Sequence, residues 1–159
     1  MNNDYFDGLF DLPHEPLPAP ASTRLPALRR TAAEAVRAAA AARGRAVRVT
    51  TYVLAEDHDA LARQREELLA YAAKRGWAAT SEHFGETTLT PAGAQLALND
   101  ALQYVRRAFA DGILMPGRDS IRQEPDAYER TLRRLHDWSG FIEFLPLLRS
   151  PAAGLVRHR

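Results

Sequence analysis

The sequence predicts an α/β domain with a mostly parallel sheet of about four strands and helices on both faces. Three observations carry that reading. From Ala46 onward, short runs of strand-like alternation take turns with longer runs of helical periodicity. Each helical run is bracketed by its own start and stop residues. A chain of 159 residues with 46% hydrophobic content can bury one sizeable core, and it is too short for a second full domain. Strands that alternate with helices are joined by crossovers, so neighbours run parallel and functional side chains are expected at the carboxyl ends of the strands.

Residues 1–22 combine an aromatic and acidic cluster, with Tyr5, Phe6, Leu9 and Phe10, and a series of prolines from Pro13 to Pro20. They read as a disordered or polyproline-like arm. Apolar anchors flanked by acids can enter a partner's groove or fold back on their own domain, and the composition fits both. Residues 23–45 read as an Ala- and Arg-rich helix, with Ser22 or Thr23 near its cap, Pro26 in its first turn and Gly44 past its end. Its apolar face is thin: Leu28, Ala32, Val36 and Ala39 or Ala40. Arg29, Arg30, Arg37, Arg43 and Arg45 are candidate nucleic-acid contacts, nonspecific and salt-sensitive in character, with a solvated helix as the plain alternative.

The domain proper is expected over residues 46–149. Val47, Val49, Thr51 and Val53 share one face of a first strand that ends at Leu54. A helix follows from Asp59 to Arg75, closed by Gly76, with Leu61, Leu68, Leu69 and Ala72 at helical spacing. Residues 77–84 form the second strand. Thr90 and Pro91 then open a third helix, striped by Leu98, Ala101, Leu102, Val105 and Phe109. A short buried strand spans 112–115, and a helix begins at Pro125 and runs to Trp138 with Tyr128, Leu132 and Leu135 inward. Residues 141–148 supply the fourth strand, and 150–159 a tail. Trp77 and Trp138 should wedge the core.

Net charge is +1, but its distribution is uneven: residues 1–22 carry four acids and no base, whereas 23–48 carry seven arginines against Glu34 alone. The remainder is close to neutral, so the core itself is no strong polyanion binder. Lys74 is the only lysine, which fits a high-GC bacterial genome as well as it fits phosphate recognition. Cysteine is absent, which removes disulfides, thiolate metal sites and thiol nucleophiles. No apolar run approaches the roughly 20 residues that cross a bilayer, and no signal-peptide pattern opens the chain, so a cytoplasmic protein without a membrane partner is expected. The histidines lack metal-ligand spacing and no glycine loop is built to cradle phosphates; neither a metal nor another cofactor is expected.

Over residues 47–149 the order of elements resembles the catalytic domain of the serine recombinases, the resolvase and invertase family. The resemblance rests on Leu61 to Leu68 with Tyr71-Ala72 and Arg75-Gly76-Trp77, on Ala110-Asp111-Gly112-Ile113-Leu114, and on Leu132 to Leu135 followed by Gly140 and Phe141 to Phe144. It implies a resolvase-like fold. It also implies where chemistry should sit, and there the chain departs from the family. A Tyr-x-Arg-x-Ser pattern, in which Ser attacks a phosphodiester and Arg stabilises the charge, is replaced by Tyr52-Val53-Leu54-Ala55-Glu56. Only Tyr52 survives; Leu54 takes the place of Arg, and Glu56, or Ala55 if the one-residue gap is placed earlier, that of Ser. No Ser or Thr lies between Thr51 and Thr80, and a carboxylate would repel the phosphate. An Arg-Pro at the third helix falls on Gln95-Leu96. An Asp-Arg-Leu-Ser-Arg pattern falls on Asp119-Ser120-Ile121-Arg122-Gln123, with Arg118 and Arg122 near enough for a small shift to restore one guanidinium. Phosphoryl transfer needs several converging cations, so a pseudoenzyme is expected. Neither the long helix nor the helix-turn-helix that follows the family's core is expected here, since Pro151 and Gly154 interrupt the last segment.

Three functional readings follow. The first is an inactive recombinase-like protein that self-associates as a dimer or higher oligomer and binds duplex DNA through the Arg-rich helix, or a protein through its arm, in the cytoplasm or on the nucleoid. The second is a protein-interaction module with no DNA role. The third is an enzyme of different chemistry using Glu56, Asp57, His58 and Asp59, a cluster whose plainer reading is a helix N-terminus with Asp59 as cap.

Overall fold

The computed structural model describes residues 16–86 and 90–147. Its elements in chain order are α1 (Ala21–Ala42), β1 (Arg48–Ala55), α2 (His58–Lys74), β2 (Ala78–Glu86), α3 (Pro91–Arg106), β3 (Gly112–Met115), a 3₁₀ turn (Arg118–Ser120), α4 (Pro125–Asp137) and β4 (Phe141–Phe144). The four strands form one all-parallel sheet in the order β2-β1-β3-β4. The α/β class with helices on both faces is therefore as expected. From β1 the chain steps outward to β2, then returns to β3 on the other side of β1. The carboxyl ends of β1 and β3 thus flank the point where strand order reverses.

Two apolar layers sandwich the sheet. Tyr52, Leu54, Ile113, Met115 and Ile142 face α3 and α4, meeting Leu98, Leu102, Val105, Leu132 and Leu135. Val49, Val53, Ala55, Leu114 and Phe141 face α2 through Leu68 and Ala72, with Trp77 closing the layer. Trp138 packs half-buried against the first layer. Every residue of β1 from Val49 onward is buried, because a central parallel strand is covered on both sides. The alternation read from sequence identifies one of its two buried faces.

The Arg-rich helix is not an appendage. α1 packs against β4 and α4, gives Leu25 to the first layer, and gives Ala32, Ala33, Val36 and Ala40 to the second. It bridges both cores along the β4 edge. Its start differs from expectation: Pro20 is the cap residue, without a side-chain bond, and Ser22 and Thr23 lie inside the first turn. α2 and α3 are capped by Asp57, which accepts from Ala60 N at 2.8 Å, and by Thr90, which accepts from Gly93 N at 3.2 Å. Two further expectations fail. Phe109 lies beyond the end of α3 and is 52% exposed, turned against Tyr104 where it cannot reach the core. β4 stops at Phe144, where its pairing with β3 ends at Met115. The arm through Glu15 and the tail from Leu148 lie outside the described residues. Among the described residues no helix is long and apolar enough to cross a membrane.

Candidate functional site

At the strand-order reversal, β1 and the segment after β3 bring several of the sequence-predicted positions together. Tyr52 is 1% exposed on the α3/α4 face. Burial raises its phenol pKa, and the charge of Arg122, itself exposed to solvent, partly offsets that. After β3 the chain turns through the 3₁₀ segment, and Arg118 fixes the turn. Its Nη1 donates to the Ile121 carbonyl at 2.6 Å and its Nη2 to the Gln123 carbonyl at 2.7 Å, while the guanidinium lies 4.0 Å from the Tyr128 ring centroid. A guanidinium bonded to backbone and stacked on a phenol ring is a clamp, poorly placed to meet a phosphate.

Gln95 and Gln123, the positions where the resemblance implies arginines, lie side by side. The Gln123 amide donates to Gln95 Oε1 at 2.8 Å, Gln95 donates to Asn99 Oδ1 at 2.9 Å, and Thr131 Oγ1 donates to Gln123 Oε1 at 2.9 Å. The four residues tie α3 to α4 across the carboxyl end of the sheet with neutral groups that satisfy one another. Where cations would converge on a phosphate, this chain has a closed carboxamide ladder. Leu54 is buried in the core, Ser120 is half-buried with its backbone closing the 3₁₀ turn, and Asp119 is exposed. Glu56 is exposed and lines a hollow with Leu61 and Phe84 on the α2 side, away from Tyr52.

The Glu56 to Asp59 cluster opens α2 as its helix-terminus reading requires, with one correction: Asp57, not Asp59, is the cap. The cap must sit one residue before the first helical turn, and the helix begins at His58. All four side chains are exposed. Among the described residues no group of three or more His, Asp or Glu is arranged to hold a metal ion.

The arginines of α1 and of the turn that follows it divide into two sets. Arg29 turns toward the domain, 3.6 Å from Glu143 and over the Phe144 ring at 4.9 Å. Arg45 makes a bidentate bond to Asp111, at 2.6 and 2.9 Å. Both face carboxylates of the domain, Arg29 because α1 packs on the sheet and Arg45 because the turn after α1 leads into β1 beside Asp111. Arg30, Arg37 and Arg43 have no side-chain partner among the described residues. Arg24, overlooked in the sequence, bonds Glu129 of α4 at 3.0 and 3.2 Å and helps dock the helix. Tyr5, Phe6, Leu9 and Phe10 lie outside the described residues.

A second polar cluster was not foreseen. Thr50 Oγ1, fully buried in β1, lies 2.6 Å from Ser81 Oγ and 2.8 Å from His83 Nδ1 on β2, and Tyr104 packs edge-on against the imidazole at 5.6 Å. Burial lowers the His83 pKa, with Asp100 opposing more weakly. The alternation of Ser81 and His83 at a two-residue step was the available signal. No protein-family model matches the chain, and no curated protein matches it either.

Proposed function

We propose that this chain is a noncatalytic, serine-recombinase-like domain that acts by self-association and by binding duplex DNA or a protein partner. The observation that carries the reading is the bonded Gln95–Gln123 pair at positions where the resemblance implies arginines, beside a β1 end that offers no hydroxyl nucleophile. Self-association is supported by β2, a nine-residue edge strand that carries Phe84 at 65% exposure; such an edge is a template for pairing. DNA contact is supported by Arg30, Arg37 and Arg43, which keep their charges available to phosphates.

The second reading, an interaction module with no DNA role, draws on one specific feature. An apolar groove of about 480 Å³ between α1 and α4 is lined by Leu25, Pro26, Tyr128 and Phe144, with Arg29 and Arg118 at its polar edge. The test is fluorescence anisotropy with duplex DNA across a salt series, together with light-scattering mass, for the chain and for a variant with Arg30, Arg37 and Arg43 changed to Gln. Deleting α1 would remove core residues, so substitution is the cleaner perturbation. Binding that weakens steeply with salt, and with a shallower slope in the variant, supports the DNA reading. A stable oligomer that ignores DNA at low salt moves the function to a protein partner.

A further inference from the structure

Opposite the recombinase-like positions, at the amino ends of β1 and β3, the carboxyl-terminal halves of α1 and α4 leave a cleft of about 380 Å³. Small side chains on α1, Ala32, Ala35 and Ala39, create the space, and Trp138 lines it together with Arg43, Arg45 and Arg48. Asp111 is the one carboxylate on its wall, so three guanidiniums against one carboxylate leave an excess of two positive charges. Arg45 and Arg48 are both anchored on Asp111, with Arg48 Nη2 at 3.3 Å, so their remaining donors are held in place before any ligand arrives. Arg48 Nε is buried without a hydrogen-bond partner among the described residues. Arg43 has no partner there either. Two non-glycine residues with left-handed backbone, Ala108 at φ 60° and Ser139 at φ 55°, also line this cleft.

We propose that this cleft binds the phosphate of a small phosphorylated ligand through Arg43, Arg45 and Arg48. Forked guanidiniums suit a tetrahedral dianion, and the cavity falls within the range of small-molecule sites. The site needs no glycine loop, and it shares Arg43 with the DNA reading, whose Arg30 and Arg37 lie outside the cleft. A phosphate of nucleic acid shares the same chemistry, and the experiment separates the two sources.

The test is isothermal titration of the full chain with pyrophosphate at fixed ionic strength, repeated in the presence of a short DNA duplex. The expected result is saturable binding that Arg43→Gln weakens about tenfold, as loss of a charge-assisted pair implies. Arg30→Gln, on α1 outside the cleft, should leave it unchanged, and Ala39→Phe, which fills the cleft without altering charge, should abolish it. Absence of pyrophosphate binding, equal weakening by Arg30→Gln, or indifference to Ala39→Phe overturns the proposal. If the duplex displaces pyrophosphate, the natural phosphate belongs to nucleic acid; if it does not, to a free small ligand. Pyrophosphate binding without any DNA binding would sink the DNA reading and leave the cleft standing.

Discussion

Replacing Asp111 with Asn should cost about 2–4 kcal/mol at neutral pH, and the pH dependence of that cost identifies its cause. The Asp111 side chain is 9% exposed and accepts from Arg45 Nη1 and Nη2, from the Arg48 backbone N–H at 2.8 Å and from Arg48 Nη2. Burial pushes its pKa up, but these donors more than compensate and hold it at about 2, against 3.8 unperturbed. A gap of nearly two units, at about 1.4 kcal/mol each, gives the lower end of the range. Asn turns an amide donor toward guanidinium donors, which raises the cost further. Because the folded pKa is depressed, the stability is fully present above the unfolded value of 3.8 and is lost as pH falls through about 2. Urea unfolding of both proteins from pH 7 to pH 2 reads this directly. The difference should be constant above about pH 5 and shrink steadily below 3.8. A difference under about 0.5 kcal/mol at pH 7, or one that stays flat to pH 2, would refute the assignment of Asp111 as the ionic pin of β1, β3 and the end of α1.

Three other outcomes are expected. Gly112→Ala drives a methyl into the Phe141 ring on the neighbouring strand, so thermal unfolding should show a loss of about 1–3 kcal/mol or more. Ser139→Gly relieves a left-handed conformation worth about 1–2 kcal/mol while adding unfolded-state entropy, and should raise stability by about 0.5–1 kcal/mol in the same assay. Because burial lowers the His83 pKa, its neutral form is favoured by folding. Stability should therefore fall as pH drops below the ordinary histidine value of 6.5, and His83→Gln should flatten that limb of a chemical-denaturation pH series while leaving the Asp111 limb at lower pH intact.

The fold was legible because its signals are local. Thr90-Pro91, Gly76 and the period change at Ala46 each mark an element boundary through backbone geometry that only a few residue types allow. The ends of α3 and α4 carry no such mark: Ala108 and Ser139 occupy left-handed positions where a glycine would announce the turn, so the apolar stripe of α3 runs on in the sequence to Phe109, beyond the helix end. The site was less legible because it depends on long-range partners. That Gln95 and Gln123 fall where arginines are implied can be read in one dimension, but that they bond each other cannot. The arginines of α1 and of the turn after it are alike in sequence; only the placement of this segment against the domain decides that Arg29 and Arg45 face carboxylates while Arg30 and Arg43 do not.

That placement puts the cluster of guanidiniums at the end of the sheet opposite the one where parallel α/β domains usually bind ligands. Ligands ordinarily sit at the carboxyl ends of the strands, where helix N-termini offer partial positive charge. Here that end carries Glu56, Asp57 and Asp59 at the start of α2, an Arg118 locked to backbone carbonyls, and a neutral glutamine pair. The preorganised guanidiniums lie at the opposite end, around Asp111. Phosphate recognition at the carboxyl end would have to rely on the exposed Arg122, with carboxylates near the same rim, and one exposed cation contributes little. At the amino end, Arg45 and Arg48 are held on a single carboxylate, and the exposed Arg43 adds a third positive charge. Electrostatics therefore favours phosphate at the end of the sheet opposite the one where the recombinase resemblance implies chemistry.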